Sequence, residues 1–144
     1  MLVKELMSPD PIFCTPQTTL HDVALLMKNN QCGAIPVCEG QHVVGIVTDR
    51  DIVTRGLAAD GDPQKLVAAE VMTRNLMVVH DDDPIERALT IMESEQVRRL
   101  PVVQGPVLVG VLSMTDLAEH LSERKAGELL REVSERPRRG RMAL

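Results

Sequence analysis

GIVTDRD, Gly45–Asp51, is the stretch on which the fold turns, because it returns sixty-five residues later as GVLSMTD, Gly110–Asp116. Each copy is an apolar run that closes on a hydroxyl residue, Thr48 or Ser113, with an aspartate three positions further on, Asp51 or Asp116. Such a run reads as a buried strand entering a helix whose first turn is rich in hydrogen-bonding groups. A junction of this kind can hold an anion or a sugar.

Outward from the two copies, sliding residues 2–52 against 67–117 without a gap pairs Glu5 with Glu70, Met7 with Met72, Met27 with Met92, Pro36 with Pro101 and Gly45 with Gly110. Two copies of one supersecondary unit are the economical account. In the first copy Ser8–Pro11 breaks the chain, Ile12–Cys14 makes a short strand, and Leu20–Asn30 has the spacing of an amphipathic helix. Thr18 or Thr19 can cap that helix, and Gly33 ends it. Ala34–Cys38 and His42–Thr48 are strands joined through Glu39, Gly40 and Gln41, and Asp49 to about Ala59 is a helix with Ile52, Val53 and Leu57 inward. The second copy repeats the order: a strand at Met77–Val79, a helix at Ile85–Glu95, strands at Leu100–Val103 and Val107–Ser113, and a helix from Met114.

The fold class expected is therefore α+β, two tandem βαββα repeats packed as one pseudo-symmetric domain. Repeat one covers 1–59, a polar linker 60–66, and repeat two 67–121. Residues 122–144 supply a helical extension, Ser122–Val133, and a disordered basic tail carrying Arg136, Arg138, Arg139 and Arg141.

Composition narrows the function classes. Phe13 is the only aromatic among 144 residues, so no stacking platform for bases exists, and a net charge of -5 argues against nonspecific nucleic-acid binding by the body of the protein. No stretch has the length of a signal-peptide core or a membrane span, which predicts a soluble, cytoplasmic protein. His21, His42, His80 and His120 lack ligand spacing, so no metal site is expected. No nucleophile stands beside a base and no Gly-rich phosphate loop is present, so the chain reads as a non-enzyme.

The paired starts MSPDP (Met7–Pro11) and MTRN (Met72–Asn75), the strands GAIPV (Gly33–Val37) and RRLPV (Arg98–Val102), and above all GIVTDRDI and GVLSMTDL resemble the two repeats of a CBS-domain pair, or Bateman module. The resemblance covers residues 2 to about 121 and extends to the stand-alone bacterial members, including those of the hypoxic-response type. It implies a regulatory, stress-linked sensor, a homodimer, that binds an adenosine-type ligand (AMP, ADP, ATP or S-adenosylmethionine) in the cleft between repeats, with no obligatory cofactor. It further implies adenine contacts near Ile12, Thr15, Ala34 and Ile35 in copy one and near Met77, His80, Arg99 and Leu100 in copy two, with Arg98 and Arg99 reaching phosphate.

The chemistry of the junctions fits that implication. An ionised aspartate offers acceptors only, on two oxygens, and suits the 2′ and 3′ hydroxyls of a ribose. The hydroxyl and free N–H groups at the helix start suit phosphate, which Arg50, inside the first motif, can also meet. Thr48 with Asp51 and Ser113 with Asp116 are thus two candidate half-sites. The same spacing makes a capping box, and the two roles are compatible. His80, Asp81, Asp82 and Asp83 repel an anion at the second copy unless Mg²⁺ intervenes, which ranks Thr48 and Asp51 first. Two other readings stand beside this one. Cys14 and Cys38 lie on strands that are plausible neighbours, either as buried hydrophobes or as a candidate disulfide switching a ligand-free redox-responsive dimer. The basic tail could instead bind nucleic acid or a protein partner.

Overall fold

Thr19 Oγ1 accepts a hydrogen bond from the N–H of Asp22 at 3.2 Å and so opens the helix that the apolar spacing predicts, Leu20–Asn30. In the computed structural model residues 1–121 and 123–134 are described, with Glu123–Ala126 and Leu129 described by backbone alone. In chain order the elements are α1 (Val3–Leu6), β1 (Ser8–Pro9), α2 (Leu20–Asn30), β2 (Ala34–Glu39), β3 (His42–Thr48), α3 (Asp49–Asp51) running into a π-helical turn at Ile52–Leu57, α4 (Ala68–Val71), β4 (Val79–His80), α5 (Ile85–Glu95), β5 (Arg99–Gln104), β6 (Val107–Ser113), α6 (Met114–Ala118) and α7 (Glu123–Ser134).

The chain divides into two compact units. One comprises Ile12–Leu76 with Pro106–Leu108; the other comprises Met1–Pro11, Met77–Gly105 and the described residues from Val109 onward. In the first unit α2 buries Leu20, Val23 and Met27 against Ile35, Val37 and Val47 of β2 and β3, which pair antiparallel with Ala34 opposite Thr48 and Val37 opposite Gly45. Cys14 lies parallel to β2: its N–H donates to the Pro36 carbonyl at 2.9 Å, and its carbonyl accepts from Cys38 N–H at 2.8 Å. In the second unit β4 runs parallel to β5, β6 is the next strand, and β1 pairs antiparallel to β6 with Ser8 opposite Val111. Ile85, Leu89 and Met92 of α5 pack there against Leu100, Val102 and Leu112.

The units do not coincide with the repeats. The opening residues of repeat one sit in the unit that holds the body of repeat two, where Val3 N–H donates to the Asp83 carbonyl at 2.9 Å. The opening residues of repeat two sit with the body of repeat one, where Ala68 N–H donates to the Thr18 carbonyl at 2.8 Å. Glu5 and Glu70, identical in the repeat, play the same part. Each carboxylate accepts the backbone N–H three residues back, on Leu2 and Val67, and so starts α1 and α4.

Five expectations need correction. The helix from Asp49 widens into a π-turn, and Val53 and Leu57, expected inward, are 54% and 53% exposed. The buried residue of that turn is Gly56, whose missing side chain leaves room for Leu20. The strand at Ile12–Cys14 shrinks to the single bridge at Cys14, because Pro11 and Pro16 flank it without N–H donors; the second copy's strand lies at Val79–His80, not Met77–Val79. Helix α2 ends on Gln31, left-handed at φ 51°, before Gly33 is reached. The extension after Leu121 is a separate helix, α7, which packs on α5 and α6 and buries Val133. The basic tail lies outside the described residues. Among the described residues no helix is long and apolar enough to cross a membrane.

Candidate functional site

Strand β3 ends where its register partner Ala34 begins β2, and the chain turns at Thr48 into α3. Asp49 N–H donates to the Gly33 carbonyl at 2.9 Å, which ties the helix start to the strand entry. The capping box is fully formed: Thr48 Oγ1 accepts from Asp51 N–H at 3.1 Å, and Asp51 Oδ2 accepts from Thr48 N–H at 2.9 Å. Asp51 is 8% exposed, the one buried charged residue among those described. Its second oxygen, Oδ1, lies 3.9 Å from Arg55 Nε, and Arg55 Nη1 donates to the Val71 carbonyl at 3.2 Å.

The second unit repeats the junction. Met114 N–H donates to the Arg98 carbonyl at 2.8 Å, Ser113 Oγ accepts from Asp116 N–H at 3.1 Å, and Asp116 Oδ2 accepts from Ser113 N–H at 2.8 Å. The cap predicted by spacing is thus built twice, and it consumes one oxygen of each aspartate. The other oxygen of each carboxylate takes no part in the cap.

The other predicted residues distribute as follows. Ala34 stands opposite Thr48, and Arg50, half-buried in the first turn, donates its N–H to Asp49 Oδ1 at 2.8 Å. Ile12 is exposed two residues before the Cys14 bridge, while Ile35 is buried in the core, so only its backbone can face a ligand. Thr15 serves a turn: its N–H donates to Thr18 Oγ1 at 3.0 Å, and the two hydroxyls lie 3.1 Å apart. His80 occupies the matching position in the second unit, where its N–H donates to Asp83 Oδ2 at 2.9 Å. That carboxylate also lies 3.4 Å from Arg87 Nε, so part of the acidic run is neutralised locally. Arg98 and Arg99 are both exposed, and Arg98 donates to Ser134 Oγ at 3.1 Å.

Sequence reasoning passed over Arg55. Its signal was present as an Asp51–Arg55 pair at helical i,i+4 spacing. The thiols of Cys14 and Cys38 are free and buried. Burial, with repulsion from Cys38 added, pushes the Cys14 thiol up to about 11, and burial raises Cys38 as well, so both stay protonated and unreactive at neutral pH.

A family model for the CBS domain matches residues 3–57 and again 67–123. Hypoxic response protein 1 of Mycobacterium tuberculosis is 40% identical over 106 residues, covering 73% of this chain and 74% of its own. A crystal structure of Hypoxic Response Protein I with two coordinated zinc ions superposes with a TM-score of 0.79 at 34% identity, over 85% of this chain and 100% of that one. The crystal structure of CBSX2 in complex with AMP gives 0.72 at 25% identity, over 83% of this chain and 94% of that one. Among the described residues no three His, Cys, Asp or Glu side chains group closely enough to hold a metal ion. The matched model, the doubled junction and the likeness in sequence and fold together make this chain a member of the CBS-domain family, with the domain present twice.

Proposed function

We propose that this protein is a non-catalytic regulatory sensor that binds an adenosine-type ligand, AMP, ADP, ATP or S-adenosylmethionine, at its hydroxyl–aspartate junctions, the one with Thr48 and Asp51 first. The observation that carries the reading is the buried Asp51, which gives one oxygen to its own cap and keeps the other for the hydroxyls of a ribose. Backbone at Ala34 and Ile35 and the exposed Ile12 supply apolar surface for a base, and Arg50 supplies charge for phosphate. The AMP complex of a related CBS protein supports the ligand class. At the second junction the Ser113 and Asp116 box is equally well formed, with His80, Arg98 and Arg99 as the polar residues assigned to it. A homodimer belongs to the same proposal, supported by the exposed Val53 and Leu57, which offer a second copy an apolar surface.

Calorimetry with AMP, ADP, ATP and S-adenosylmethionine tests the proposal. Binding of at least one of them, weakened about tenfold or more by Asp51→Asn, is the expected result. Asparagine keeps a carbonyl acceptor for Thr48 N–H, so its loss of affinity reports on the ligand and not on the cap. If none of the four ligands binds, the proposal fails.

A further inference from the structure

We propose that Arg55 is a positioning residue, the one that aims Asp51 and makes its junction the ribose-binding one of the two. The inference rests on the reading of Asp51 given above. The two oxygens of a carboxylate turn together about the Cβ–Cγ bond, and a single hydrogen bond to Oδ2 still lets the planar group rock within the broad well of that torsion, carrying Oδ1 with it. In the first unit a guanidinium stands beside Oδ1, with Arg55 Nε at 3.9 Å. The same guanidinium is fixed from its far side by Nη1, which donates to the Val71 carbonyl at the end of α4. Arg55 therefore places a cation, fixed to a second element of its unit, at ion-pair distance beside Oδ1, which restrains the rocking of the carboxylate.

The second repeat lacks this arrangement. His120 occupies the position equivalent to Arg55, and its Nδ1 lies 3.2 Å from the Asp116 backbone carbonyl, not from its carboxylate. Among the described residues Asp116 forms no ion pair. Two junctions with identical caps thus differ in whether a cation stands beside the aspartate's outer oxygen. An oxygen already oriented loses less freedom when it takes a ribose hydroxyl, so the first junction binds ribose more tightly than the second.

The test titrates the full chain with AMP and with 2′,3′-dideoxy-AMP, which lacks the hydroxyls that Asp51 would meet. Wild type should prefer AMP about tenfold or more. Arg55→Gln, which removes the charge, should weaken AMP about threefold, leave dideoxy-AMP unchanged, and so narrow the ratio without abolishing it, since Asp51 still accepts the hydroxyls. Arg55→Lys should recover part of the preference. If wild type prefers AMP and Arg55→Gln keeps that preference undiminished, Arg55 is a surface ion pair and the inference falls while the ribose reading stands. If wild type treats the two nucleotides alike, or binds neither, the role of Asp51 falls and that of Arg55 with it. Circular dichroism of each variant separates lost folding from lost recognition, and Arg55→Ala serves as the second variant should the glutamine fail to fold.

Discussion

The sulfur of Met72 stands 2.7 Å from the point a Cβ on Gly45 would occupy, and the carbonyl oxygen of Thr73 stands 2.9 Å from that point. In the other unit Met7 and the carbonyl of Ser8 crowd Gly110 in the same way, at 2.5 and 2.9 Å. Two identities of the repeat, methionine and glycine, are thus one packing contact made twice.

Gly45→Ala and Gly110→Ala should each destabilise the protein by about 1–3 kcal/mol, since the methionine can swing aside but the backbone carbonyl cannot. Urea denaturation of the two variants measures this. Losses under about 0.5 kcal/mol would mean that the strands part without strain.

Gly127 presents the opposite case. It lies inside α7 with nothing within 4 Å of the point a Cβ would occupy, so Gly127→Ala should stabilise by about 0.5–1 kcal/mol through helix propensity alone. A fall in the thermal midpoint would contradict the exposed helical setting of this residue.

The caps make a graded series. Thr48→Ala and Ser113→Ala should each cost about 1 kcal/mol, whereas Thr48→Ser, which installs the residue of the second repeat, should stay within about 0.5 kcal/mol of wild type. Equal losses from Thr48→Ala and Thr48→Ser would show that the methyl group, not the hydroxyl bond to Asp51, carries the contribution.

Stability should fall at alkaline pH through Cys14. Its thiol holds its proton to about 11 in the fold against 9.0 for an ordinary thiol, because burial and then the neighbouring Cys38 oppose the thiolate. The contribution is complete below pH 9 and is lost as pH rises toward 11, where the unfolded chain has already given up its proton; it is on the order of 2 kcal/mol. Denaturation midpoints from pH 8 to 11 should slope downward in wild type and less so in Cys14→Ala. Matching slopes would remove this thiol from the account.

The sequence was most legible where apolar periodicity ran long. Leu20–Asn30, Ile85–Glu95, His42–Thr48 and Val107–Ser113 have the expected bounds, and both hydroxyl–aspartate boxes form as their spacing requires. Four-residue helices such as Val3–Leu6 and Ala68–Val71 complete barely one turn, too little for a period to be visible, and they are fixed by a glutamate reaching back. The inward placement of Val53 and Leu57 failed because a widened π-turn moves residues off the stripe that an α-helix would present. Arg55 was only half legible, through its i,i+4 spacing from Asp51. Its importance depends on Val71, sixteen positions away, and no local pattern announces that bond.

The trade of opening segments has a consequence for how the chain is made. As a polypeptide leaves the ribosome, Met1–Pro11 emerges well before the body it belongs to, which begins only at Met77. Ile12–Leu76, by contrast, is contiguous and lacks only Pro106–Leu108. Met1–Pro11 therefore has no unit to join until synthesis has passed Met77, by which point Ile12–Leu76 has nearly all of its own unit in hand.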